Sequence, residues 1–129
     1  MMGAFTLTHF LFLLQGIAWT IALFALALLL GGAAGFCLML VRITRFAPLR
    51  TATGLLIQAV QGIPLMILLF LAYYGLSLFG FSLPAIVAAT LGMAIYVSVF
   101  LAEIWRGSVE SIAATQWEAA ECLSLTRWQ

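Results

Sequence analysis

The four acidic side chains of this 129-residue sequence, Glu103, Glu110, Glu118 and Glu121, all fall in one stretch near its C-terminus. Between Arg50 and Glu103 there is no charged residue at all. Carboxylates gathered in this way mark a segment presented to water and to a partner. They do not make an enzyme: the sequence has no phosphate-cradling glycine loop, no zinc spacing and no Ser/His/Asp set. Neither a catalytic residue, a metal site nor a cofactor bound by this chain is expected. His9 is the single histidine and is assigned no role. Cys37 stands in an apolar run and Cys122 in the acidic stretch, which argues against a disulfide or metal pair.

The elements that hold this stretch are set by composition. The chain is 66% hydrophobic and 7% charged, with a mean hydropathy of +1.23. Soluble domains carry roughly 25% charged residues. The fold class is therefore all-α and multi-pass, and the bilayer is its first partner. A net charge of +1 gives no case for nucleic acid. All five basic residues are arginines, at positions 42, 45, 50, 106 and 127.

Residues 1–15 lack the basic start and the cleavage site of a signal peptide. They read as an interfacial segment ahead of a retained anchor, with Phe5, Leu7 and Phe10 to Leu14 among Thr6, Thr8 and His9. Residues 16–41 are uncharged and long enough to span. Within them Gly31 and Gly35, with Ala27 one turn earlier, form a small-residue stripe suited to close approach of another helix of this chain. Arg42, Arg45 and Arg50 then hold a short loop on the cytoplasmic side, placing the N-terminus outside. The uncharged run that follows holds two spans, about 55–79 and 83–102, broken at the Gly80-Phe81-Ser82 turn. Pro64 predicts a kink in the first of these. Gln61 beside it is a candidate for a polar pathway, with a backbone-bonded amide as the competing reading.

Residues 103–129 return to the cytoplasm. Glu103 and Arg106 are spaced to pair on one helix face, an interaction worth only about 0.2–0.5 kcal/mol when exposed. Thr115-Gln116-Trp117-Glu118 has the form of a capping box, with Thr115 as N-cap and a short helix starting at Gln116. Ala119 and Ala120 keep part of that helix low enough for another surface to approach. Trp117 and Leu123 offer apolar contact area. The sequence reads as unfinished at Gln129.

Taken together, Gly16 to Thr20, Pro48-Leu49-Arg50, Gln61-Gly62-Ile63-Pro64-Leu65, Ala102-Glu103-Ile104-Trp105-Arg106-Gly107 and Gln116-Trp117-Glu118-Ala119-Ala120 resemble the permease subunits of bacterial ABC importers for polar amino acids. The resemblance covers nearly the whole chain and only the N-terminal part of the family's fold. It implies about three transmembrane helices followed by a cytoplasmic coupling helix, in the inner membrane. It further implies a second permease subunit, a periplasmic amino-acid-binding protein, and a separate ATP-binding subunit that carries the ATP. By position Glu118, Ala119 and Ala120, with Trp117, would carry the contact to the ATPase. The chain departs from the family pattern in three places. Ser124 stands where the family has glycine. Gln61-Gly62-Ile63-Pro64 stands for Arg-Gly-Thr-Pro, and Ala113-Ala114-Thr115 for Pro-x-Gly.

The competing classes are a secondary-transporter fragment and a small membrane assembly protein. The first normally needs ionisable groups inside the membrane, and residues 51–102 contain none. The second would leave 103–129 as an interaction tail. Neighbouring genes for an ATPase and a binding protein separate both from the permease reading.

Overall fold

The computed structural model describes residues 7–126. The first six residues of the expected interfacial segment, and Arg127 to Gln129, lie outside the described residues. Five helices account for the fold: α1 (Leu7–Arg42), α2 (Ala47–Gln61), α3 (Leu65–Leu78), α4 (Ala85–Glu110) and α5 (Ala114–Cys122).

Helix α1 has 36 residues, about 54 Å at 1.5 Å per residue, against a hydrocarbon core of about 30 Å. No break separates residues 7–15 from the span, so the expected separate segment is the first turns of the same helix. Thr8 and His9 are too few to interrupt a run of straight-chain and aromatic residues, and no proline or glycine intervenes before Gly16.

Helices α1 and α4 form the spine. A Cβ on Gly31 would lie 2.7 Å from the Ala94 carbonyl oxygen, and one on Gly35 would lie 2.7 Å from that of Ser98. Contact this close is open only to glycine. In lipid, where tails are as apolar as leucine, such backbone approach supplies the van der Waals packing that water would otherwise drive. The stripe at Ala27, Gly31 and Gly35 therefore meets another helix of the same chain, as its spacing predicts. The contacts advance together along both helices, from Gly31 and Ala94 through Gly35 and Ser98 to Arg42 and Glu103. The two run parallel.

A parallel pair needs a connection that crosses back, and α2 with α3 provides it. A Cβ on Gly92 of α4 would touch the Leu69 side chain of α3 at 2.9 Å, while Gln61 at the start of the bend lies against Val99. Contacts that fall along α4 as they rise along the chain mean that α3 runs antiparallel to it. The expected single span at 55–79 is replaced by two segments meeting at 100°. A kink alone does not produce that angle. Helix α2 ends at Gly62, whose N–H donates to the Gln58 carbonyl. Pro64 then takes an extended conformation, φ −57° and ψ 138°, and starts α3 afresh. At the N-cap of α3, proline's missing N–H costs no intrahelical bond. The second span also begins earlier than expected, with Pro48 in the first turn of α2.

Within α3 a π-helical turn covers Leu71–Gly75. Gly80, at φ +85°, makes the turn out of α3 that the sequence placed there. Where α1, α2 and α4 meet, Met39, Ile57, Val99 and Ala102 form the buried cluster, with Trp105 packed on it. Trp105 also meets Phe36 edge to face at 6.1 Å between ring centres.

Candidate functional site

Helix α4 does not stop at Ala102. It runs on to Glu110, because nothing from Glu103 to Glu110 breaks a helix except Gly107, an isolated residue whose cost of about 1 kcal/mol is tolerable. The acidic stretch thereby becomes two elements, the end of α4 and the separate α5, joined at Ser111, Ile112 and Ala113.

Glu103 is the hub of the first element. Its Oε2 accepts from Arg106 Nε at 2.9 Å and Nη2 at 2.7 Å, the pairing that its spacing predicts. Its Oε1 accepts from Arg42 Nε at 3.0 Å. Arg42 Nη1 donates to the Arg50 carbonyl at 3.1 Å, and Arg106 Nη1 donates to Glu110. The Arg42 guanidinium lies so close to α2 that a Cβ on Gly54 would be 2.7 Å from Nη1. One carboxylate thus ties α1, α2 and α4 together at their common end. The sequence reading assigned Arg42 only to topology and missed this. The available signal was an acid opening the charged end of one span on the same membrane side as an arginine closing another.

Helix α5 is the second element. It begins at Ala114, with Ala113 at the N-cap in extended conformation and no side-chain cap. This corrects the capping-box assignment: Thr115 lies inside the first turn and caps nothing. An N-cap needs extended backbone, and the chain takes it up at Ala113. The C-terminus is closed instead. Ser124 N–H donates to the Glu121 carbonyl at 2.9 Å and Leu125 N–H to that of Ala120 at 3.0 Å. This paired pattern is the Schellman motif. Its left-handed position is held by Ser124 at φ +53°, where glycine is usual. The bend is made without the glycine.

Among the described residues, α5 packs against no other helix. Trp117, 53% exposed, stands out from it together with Glu118 and Ala119, whereas Ala120 is half-buried. Ala120 forms the floor of an open groove of about 700 Å³, walled by Ile112, Gln116, Trp117, Glu121 and Leu125. A mostly apolar groove with one carboxylate, on a helix that packs against no other among the described residues, suits protein docking better than catalysis. The four residues singled out from the sequence are therefore on one short helix, though not on one face.

Gln61 is elsewhere, at the α2–α3 bend. Its Nε2 points to the Val99 carbonyl at 3.5 Å, a long contact that ties the bend to α4. That contact is of the kind the backbone-bonded alternative expects. Among the described residues, no group of His, Cys, Asp and Glu could hold a metal ion.

No protein-family model matches the chain. Individual proteins do. The chain is 32% identical over 120 residues to the probable amino-acid ABC transporter permease YckA of Bacillus subtilis, an alignment covering 93% of this chain and 53% of that protein. It is 32% identical to the octopine transport system permease OccM of Rhizobium radiobacter, over 96% of this chain and 54% of the other. In three dimensions it matches the crystal structure of an amino acid ABC transporter with histidines at a TM-score of 0.74 and 30% identity, over 92% of this chain and 58% of that one. The chain is a homologue of the amino-acid ABC transporter permeases. It spans about half the length of the curated relatives it matches.

Proposed function

We propose that the chain is part of the transmembrane permease of an ATP-driven importer of polar amino acids, and that α5 is where a separate ATP-binding subunit docks. The observation carrying this is α5 itself, a helix closed at its C-terminus, without packing partners among the described residues, and joined by three residues to a spine tied together at Glu103. A second permease subunit completes the pathway, and an amino-acid-binding protein delivers substrate from the opposite side. Three arginines near the α1–α2 connection favour the cytoplasmic side for that end, with α5 beside it and the N-terminus outside, in the inner membrane. Hydrolysis belongs to the partner. When the ATP-binding subunits close, their movement reaches α5, and the ion-paired junction at Glu103 passes it to α1, α2 and α4 as one body.

The test is reconstitution of the protein in proteoliposomes with a candidate ATP-binding subunit and a candidate amino-acid-binding protein. Uptake of a labelled polar amino acid that requires ATP, the ATP-binding subunit and the binding protein supports the reading. Uptake driven by an ion gradient without them would replace it with secondary transport.

A further inference from the structure

We propose that the connection between α1 and α2 binds anionic lipid headgroups through Arg45 and Arg50, with Phe46 inserted between them into the membrane surface. This rests only on α1 spanning the bilayer, not on what the protein transports.

The three arginines of this connection are not equivalent. Arg42 is turned inward, with its Nε on Glu103 and Nη1 on the Arg50 carbonyl. Arg45 and Arg50 are exposed, and no ion pair among the described residues involves either. Nor is there acid to spare. Glu103 is shared by Arg42 and Arg106, and Glu110 is taken by Arg106. Glu118 and Glu121 sit on α5, which packs against neither α1 nor α2. The connection therefore carries two uncompensated positive charges.

It also carries exposed apolar surface. Phe46 is 66% exposed, with Leu49 at 46% and Ile43 at 41%. Two exposed arginines flanking one exposed aromatic ring at the end of a spanning helix match the headgroup layer, where rings settle at the polar boundary and guanidinium groups meet phosphate. The backbone that presents them is fixed beforehand. Thr44 Oγ1 donates to the Val41 carbonyl at 2.9 Å, Arg50 N–H donates to that of Phe46 at 3.1 Å, and Arg42 holds Arg50 from within. Little ordering remains to oppose binding. The charge of the site and its place at the bilayer edge both favour a lipid phosphate over an acidic protein.

Lipid retained by the full-length protein, purified in mild detergent from membranes of equal phosphatidylcholine and phosphatidylglycerol, provides the test. Surface arginines contribute roughly a fivefold preference each. Arg45→Gln with Arg50→Gln should lower the retained phosphatidylglycerol-to-phosphatidylcholine ratio several-fold without changing thermal stability, while the double lysine variant keeps the ratio. An unchanged ratio in the glutamine variant overturns the proposal. So does displacement of the lipid by excess inorganic phosphate, which would make this a free-anion site. Loss of a co-purifying acidic protein, with the lipid ratio intact, would also overturn it.

Discussion

Arg42, in the last turn of α1, and Glu103, sixty-one residues later on α4, are joined with Nε and Oε1 3.0 Å apart. Their side chains are only 18% and 24% exposed, so this pair is better sheltered than the surface ion pairs worth about 0–1 kcal/mol. It is not deeply buried, where breaking a pair costs about 3–5 kcal/mol. Glu103→Gln should fall between, destabilising the full-length protein by about 1–3 kcal/mol. A double-mutant cycle with Arg42→Gln in detergent unfolding should return a positive coupling. Coupling indistinguishable from zero would remove this junction from the account.

The spine makes a sharper steric prediction. Gly35→Val places a side chain where even a Cβ would sit 2.7 Å from the Ser98 backbone oxygen, and backbone cannot step aside as a flexible side chain does. Loss of several degrees in the melting temperature, or failure to accumulate, is expected. Gly32→Ala, three residues earlier on the same helix, meets nothing within 4 Å and should be neutral or stabilising by up to about 1 kcal/mol. Equal behaviour of the two variants would contradict the parallel packing of α1 on α4.

Helix α5 can be tested at both ends. A non-glycine residue in the left-handed conformation costs about 1–2 kcal/mol, so Ser124→Gly should strengthen the closing turn. Hydrogen exchange at the Leu125 amide, bonded to Ala120, should slow several-fold. At the other end Ala113→Asp supplies the missing cap and should stabilise by about 0.5–2 kcal/mol, whereas Thr115→Ala should change little. A large loss from Thr115→Ala would restore the capping box.

These predictions trace where sequence reasoning reached and where it stopped. The small stripe and the Glu103–Arg106 pair were legible because each depends on spacing along a single helix, and the Gly80 turn because glycine takes the positive φ a tight turn needs. Residues 7–15 were misread because their few polar side chains resemble a boundary, yet helix continuity needs only the absence of a breaker. Pro64 signalled interruption, but proline ends one helix as readily as it bends it. The 100° angle follows from where Gln61 and Leu69 meet α4, which no local pattern encodes. Arg42 was missed for the same reason, since its partner is fixed by the parallel run of α1 and α4. Thr115 shows the opposite error, a local motif overruled by where the chain turns at Ala113.

The central claim is that α5 passes work between an ATPase and the spans. Glu118, exposed on that helix, offers the most direct measurement: ATPase activity of the reconstituted full-length complex, with and without loaded binding protein, for Glu118→Lys against the parent. The account predicts that membrane insertion is unchanged while the stimulation by loaded binding protein collapses toward the basal rate. Full stimulation in the Glu118→Lys protein would contradict it.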